Sequence, residues 1–158
     1  VGADLRPPEG GSTMFENRTV FGGFAVKDTD KARSFYGTTL GLDVRDGNQP
    51  GILEIHGTGG SPVLMYPKPD HKPATFTVLN IDVPDIERAV GELNKAGVRM
   101  EHYDADPIVT DQNGILRGGG MAVAWFQDPF GNILSIIENE EASTGQRADD
   151  RQMASASR

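Results

Sequence analysis

The hydrophobic and polar positions of this chain run through one pattern twice. Phe24-Ala25-Val26-Lys27-Asp28-Thr29-Asp30-Lys31-Ala32 lies over Ile81-Asp82-Val83-Pro84-Asp85-Ile86-Glu87-Arg88-Ala89 at an offset of 57 positions. In each copy an apolar and polar alternation, the period of a strand, gives way to an acidic residue ahead of a helical stretch. Asp28 and Asp85 suit those helix starts, because a carboxylate accepts hydrogen bonds from the free N–H groups of a first turn and complements the helix dipole. Each predicted helix stops at a glycine, Gly41 or Gly97, the residue that takes a left-handed conformation without strain. Three β-like runs follow each helix: residues 42–45, 51–56 and 62–66 in the first copy, and 98–103, 121–127 and 132–138 in the second. The pattern predicts an α+β fold of two βαβββ modules.

The turn formers of Asp128-Pro129-Phe130-Gly131-Asn132 predict an antiparallel hairpin from the last two runs. Residues 105–120 show no strand period and contain Asn113-Gly114 and Gly118-Gly119-Gly120, so they read as a long loop, either a flap over a pocket or disordered. Residues 1–13, rich in Gly and Pro, read as a flexible leader ahead of Met14, native or vector-derived, and the polar stretch 139–158 reads as a flexible tail. Residues 14–138 between them read as a single domain whose modules span about 14–70 and 74–138.

Phe24-Ala25-Val26-Lys27-Asp28, with Ala32, Phe35-Tyr36 and Leu40-Gly41-Leu42, resembles the first module of the vicinal oxygen chelate superfamily, the glyoxalase, bleomycin-resistance and dioxygenase group. Asp85-Ile86-Glu87-Arg88-Ala89-Val90, Leu93 and Ala96-Gly97-Val98 resemble the second module, as does the run from Trp125 through the Asp128-to-Asn132 turn to Leu134. The resemblance implies that the strands form a curved, barrel-like sheet around a cleft, with the helices on the convex side. It also implies a homodimer, in some members with exchanged modules. The superfamily holds lyases, isomerases, extradiol dioxygenases and metal-free proteins that sequester antibiotics, so the fold alone does not choose an activity.

Strand alternation separates the two faces. With Phe24 and Val26 on the first helix, Phe21, Gly23 and Ala25 face the cleft. With Leu79, Ile81 and Val83 on the second helix, Val78, Asn80 and Asp82 face it. Leu64 and Leu134 are expected outward, which places Met65 and Ser135 inward. Metal-dependent members carry His, Gln or Glu at such inward positions, and the alignment places Phe21, Val78, Met65 and Ser135 there; a shift of one residue replaces Met65 by Tyr66. Hydrocarbon, thioether and a neutral hydroxyl are poor donors to a hard or borderline divalent ion, so no metal or other cofactor is expected. Apolar side chains on these strands, Trp125 among them with Phe126 and Phe76, read as an apolar pocket or as plain core, with Asn80 and Ser135 orienting a ligand.

Three histidines remain. His56 shares a strand face with Glu54 two residues earlier, so the pair is either an acid/base couple or a weak surface contact. His71 falls in the linker at 67–73 and is expected to be exposed. His102 and its neighbour Glu101 point to opposite faces by alternation. No phosphate-binding loop and no Gly-x-Ser-x-Gly elbow is present.

Composition narrows the partners. The formal net charge of −8 argues against nucleic acid and leaves room for a cationic ligand. No apolar run approaches the roughly 20 residues of a membrane span. With no cysteine, disulfides and thiolate sites are excluded. The expectation is a cytoplasmic, metal-independent protein that binds a small, partly apolar molecule, such as an antibiotic or metabolite. The alternative is a superfamily lyase, isomerase or dioxygenase with a displaced metal site or a Glu54–His56 pair.

Overall fold

The structure, a computed structural model, describes residues 14–139. The expected leader and the expected tail beyond residue 139 lie outside the described residues. Strand β1 (Gly23–Val26) leads into helix α1, which is α-helical over Thr29–Ala32 and continues as a π-helix over Arg33–Thr39. Strands β2 (Asp43–Asp46), β3 (Leu53–His56) and β4 (Val63–Pro67) complete the first module. The second runs through β5 (Thr77–Asp82) and α2 (Ile86–Lys95) to the short pair β6 (Asp104–Ala105) and β7 (Ile108–Val109). It closes with β8 (Ile115–Gly118), β9 (Met121–Gln127) and β10 (Ile133–Asn139).

The helix starts form as their carboxylates predict. Asp28 accepts from the N–H groups of Asp30 and Lys31 at 2.9 and 3.1 Å, and Asp85 from that of Arg88 at 3.0 Å. Gly41 and Gly97 sit at φ of 72° and 85°, where any other residue is strained.

Two four-stranded sheets result, ordered β1-β4-β3-β2 and β5-β10-β9-β8, with β1 parallel to β4 and β5 parallel to β10. The sheets are curved but not closed. One expectation needs correction here. Residues 98–103 form no strand: Met100 alone bridges to Phe126, and the Glu101 N–H reaches the Trp125 carbonyl at 2.7 Å. The strand that occupies the place of β2 in the second sheet is β8, inside the stretch expected to be a loop. The outer partner of β9 is thus split, β8 covering one end and Met100 the other, with the β6–β7 hairpin carried on the excursion between them. Asp111 turns the chain back by accepting from the N–H groups of Asn113 and Ile115 at 2.8 and 2.9 Å. Gly114 closes the seam, since a Cβ there would lie 2.8 Å from that of Met100.

Side chains of the helices and of the sheet faces they cover join one core, including Val26, Tyr36 and Met65 from the first module and Ile86, Phe126 and Leu134 from the second. A polar junction ties the modules. The Tyr36 hydroxyl donates to Asp128 at 2.7 Å, and Asp128 also accepts from the backbone N–H groups of Phe130 and Asn132. The Asn132 amide donates to Asp128 and to the Ala25 carbonyl on the free edge of β1. Burial first, and the adjacent carboxylate second, hold the Tyr36 hydroxyl protonated far above the ordinary range of a phenol.

Candidate functional site

The concave face of the first sheet holds a cavity of about 460 Å³, a size that accommodates a drug-like molecule. Phe21, Ile52, Pro62, Leu64 and Tyr66 supply its apolar walls. Thr19, Asn48, Gln49 and Ser61, from the connecting segments, supply polar groups, and Glu54 on β3 is the one charged residue among those lining it. The register explains why these strand residues meet: Gly23, Leu64, Glu54 and Arg45 stand side by side across β1, β4, β3 and β2. With Gly23 contributing no side chain, the row is open at its β1 end.

Glu54 and His56 form the contact their spacing allows, Nε2 to Oε2 at 2.9 Å, with side chains only 19% and 28% exposed. Across β2, Arg45 stands opposite Glu54 and Asp43 opposite His56. The Arg45 guanidinium turns to Asp43, its Nε 3.1 Å from both carboxylate oxygens. The side-chain bond with Arg45 holds the exposed Asp43 carboxyl below its usual range.

The expected inward residues divide between two surfaces. Phe21 and Tyr66 line the cavity and remain 59% and 41% exposed. Met65 does not: it is fully buried on the helix side beside Phe24, while its neighbours Leu64 and Tyr66 face the cavity, so the inward and outward assignments on β4 are reversed. Val63-Leu64-Met65 is apolar throughout, and nothing in it marks a face. Phe126 is likewise core, and Phe76 is 69% exposed just ahead of β5.

On the second sheet Asn80, Ser135 and Trp125 stand in one row across β5, β10 and β9. The Ser135 hydroxyl, 1% exposed, donates to the Asn80 carbonyl oxygen at 2.6 Å. Trp125 meets the Tyr103 ring edge-on at 5.5 Å, and burial, with the Glu101 carboxylate second, pushes the Tyr103 hydroxyl up. Val78, Asn80, Trp125 and Ser135 line no part of the first-sheet cavity, and neither does any residue of 105–120. The structure therefore brings Phe21 and Tyr66 together and leaves Asn80, Ser135 and Trp125 in a separate row on the second sheet, while Val78, expected to face the cleft, packs against the core beside a register shift in β10. His71, expected to be exposed, is half-buried, 3.1 Å from the Asn132 side-chain oxygen.

The positions aligned with the superfamily's metal ligands offer hydrocarbon, a phenol and a hydroxyl already donating to an amide. That donor chemistry does not fit a divalent ion. Among the described residues no group of three or more His, Asp or Glu is placed to hold one. Nor is any helix there long and apolar enough to cross a membrane.

Paired βαβββ modules with helices on one side of curved, open sheets define the vicinal oxygen chelate fold. The chain belongs to the glyoxalase/bleomycin resistance protein/dioxygenase superfamily, whose family model matches residues 17–136. No curated protein matches it in sequence. Among solved structures it is similar to a glyoxalase family protein from Bacillus anthracis, at 20% identity and a TM-score of 0.60, covering 81% of this chain and 99% of that one. TnmS3, an antibiotic binding protein from Streptomyces sp. CB03234, is similar at 22% identity and a TM-score of 0.57, covering 80% and 99%. A glyoxalase/dioxygenase from Nostoc punctiforme gives 20% identity and a TM-score of 0.58, covering 88% and 98%. At these identities the likeness concerns the fold.

Proposed function

We propose that this chain is a metal-independent binding protein that holds a small, partly apolar molecule, an antibiotic or metabolite, in the first-sheet cavity and sequesters it. The observation that carries the reading is the pairing of an apolar-walled cavity with aligned metal positions that lack donors. The antibiotic-binding neighbour supports it by analogy of fold. The test is calorimetric titration with a panel of aromatic antibiotics and metabolites, together with metal analysis of the purified protein. Saturable binding that Tyr66→Ala weakens about tenfold is expected, because a bound ligand would cover the exposed ring in the apolar wall. Stoichiometric divalent metal that raises the melting temperature would overturn the reading.

A second copy completes the site in this reading, because the first-sheet cavity and the Asn80, Ser135, Trp125 row lie on different sheets and the row lines no part of that cavity within one chain. Sedimentation at micromolar concentration should give a homodimer; a monomer under those conditions removes this part. An enzymatic reading, with a displaced metal or a Glu54–His56 acid/base pair, is favoured by the 2.9 Å contact alone. Product formed from a bound ligand, and lost in His56→Gln, would establish it.

A further inference from the structure

We infer that the cavity selects an organic cation, an ammonium group carried on an aromatic or aliphatic body, and that Glu54 is the residue that selects it. The inference rests on the binding reading above and narrows it to a ligand class.

A carboxylate is the one charged group that the described residues bring to a cavity whose walls include two aromatic rings, Phe21 and Tyr66. Its Oε2 is occupied by His56, and its Oε1 takes no hydrogen bond from the described residues. The cation nearest in register, Arg45, is engaged with Asp43. Asp43 and Arg45 engage each other, so of these four groups it is the Glu54 carboxylate, with His56 on one oxygen, that presents negative charge to the cavity.

A partly buried charge is costly until a partner of opposite sign meets it, and a ligand ammonium supplies that partner through a charge-assisted hydrogen bond to Oε1. Aromatic faces add to the selection, since a ring attracts a cation over its face and a neutral isostere gains nothing comparable. An anion meets the reverse: among the described residues no lysine or arginine lines the cavity, and Glu54 repels it. His56 is a positioning residue here, holding one carboxylate oxygen so that the other is presented.

Three matched probes test this by calorimetry on the full chain at neutral pH: 2-naphthylethylammonium, 2-naphthylethanol and 2-naphthylacetate. The ammonium should bind at least about tenfold more tightly than the alcohol, and the carboxylate most weakly. Glu54→Gln, which keeps the side-chain shape, should remove most of the preference for the ammonium over the alcohol, read as the ratio of the two affinities. Equal binding of ammonium and alcohol by the unaltered chain overturns the inference and leaves the binding reading standing, and this comparison needs no variant to fold. A preference that survives Glu54→Gln also overturns it, by placing the selection elsewhere. Failure of all three probes to bind a folded chain up to millimolar concentration removes the inference and the cavity reading together.

Discussion

The two modules repeat one topology, yet the rows they turn away from the core differ in chemistry. The row Gly23, Leu64, Glu54 of the first sheet occupies the same register as the row Asn80, Ser135, Trp125 of the second. Glycine at one end and a carboxylate at the other leave the first row open and charged. In the second, the amide and hydroxyl satisfy each other and the indole is met by Tyr103. The edges differ in parallel: β2 runs unbroken, whereas the equivalent edge of the second sheet is interrupted by the excursion that bears the β6–β7 hairpin. Two copies of one motif can thus share a core and differ in the chemistry of their outward rows, because the residues pointing away from that core are the ones freer to diverge.

The largest expected effect tests which face of the first sheet is which. Met65→Ala should destabilise the protein by about 2–5 kcal/mol in chemical denaturation, the range for truncating a fully buried side chain. Tyr66→Ala, one residue along the same strand, should cost under about 1 kcal/mol, because its ring is half in solvent. Equal losses for the two variants would erase the distinction between core and cavity faces on β4.

The same pair shows where the sequence could be read and where it could not. Helix starts at Asp28 and Asp85 and stops at Gly41 and Gly97 were legible because each residue has a local physical reason to be there. The face of β1 followed from its alternation and from the helix it precedes; on β5 Asn80 followed in the same way, whereas Val78 was expected toward the cleft and packs against the core. On β4 that alternation is missing, and Met65 was placed on the wrong side. Strand β8 was hidden because Ile115-Leu116-Arg117-Gly118 is short and runs into glycines, while 98–103 has a strand-like pattern that only Met100 uses. At the site, Phe21, Tyr66, Glu54 and His56 were within reach of strand periodicity. Thr19, Asn48, Gln49 and Ser61 were not, since they come from connecting segments whose placement depends on the tertiary structure.

A smaller effect examines the second row. Ser135→Ala removes the donor to Asn80, whose exposed amide can turn to water instead, so the loss should be about 0.5–1.5 kcal/mol, the net worth of one hydrogen bond. Ligand binding at the first-sheet cavity should not change within one chain, because Ser135 lines no part of it. The comparison sharpens if binding is measured above and below the concentration at which copies associate. A change in affinity of more than about threefold, seen only in the associated state, would mean that a second copy brings its Asn80, Ser135, Trp125 row over the cavity of the first. The same change in a monomer would mean that the two faces communicate through the shared core, and the separation of the two rows argued from their register would not hold.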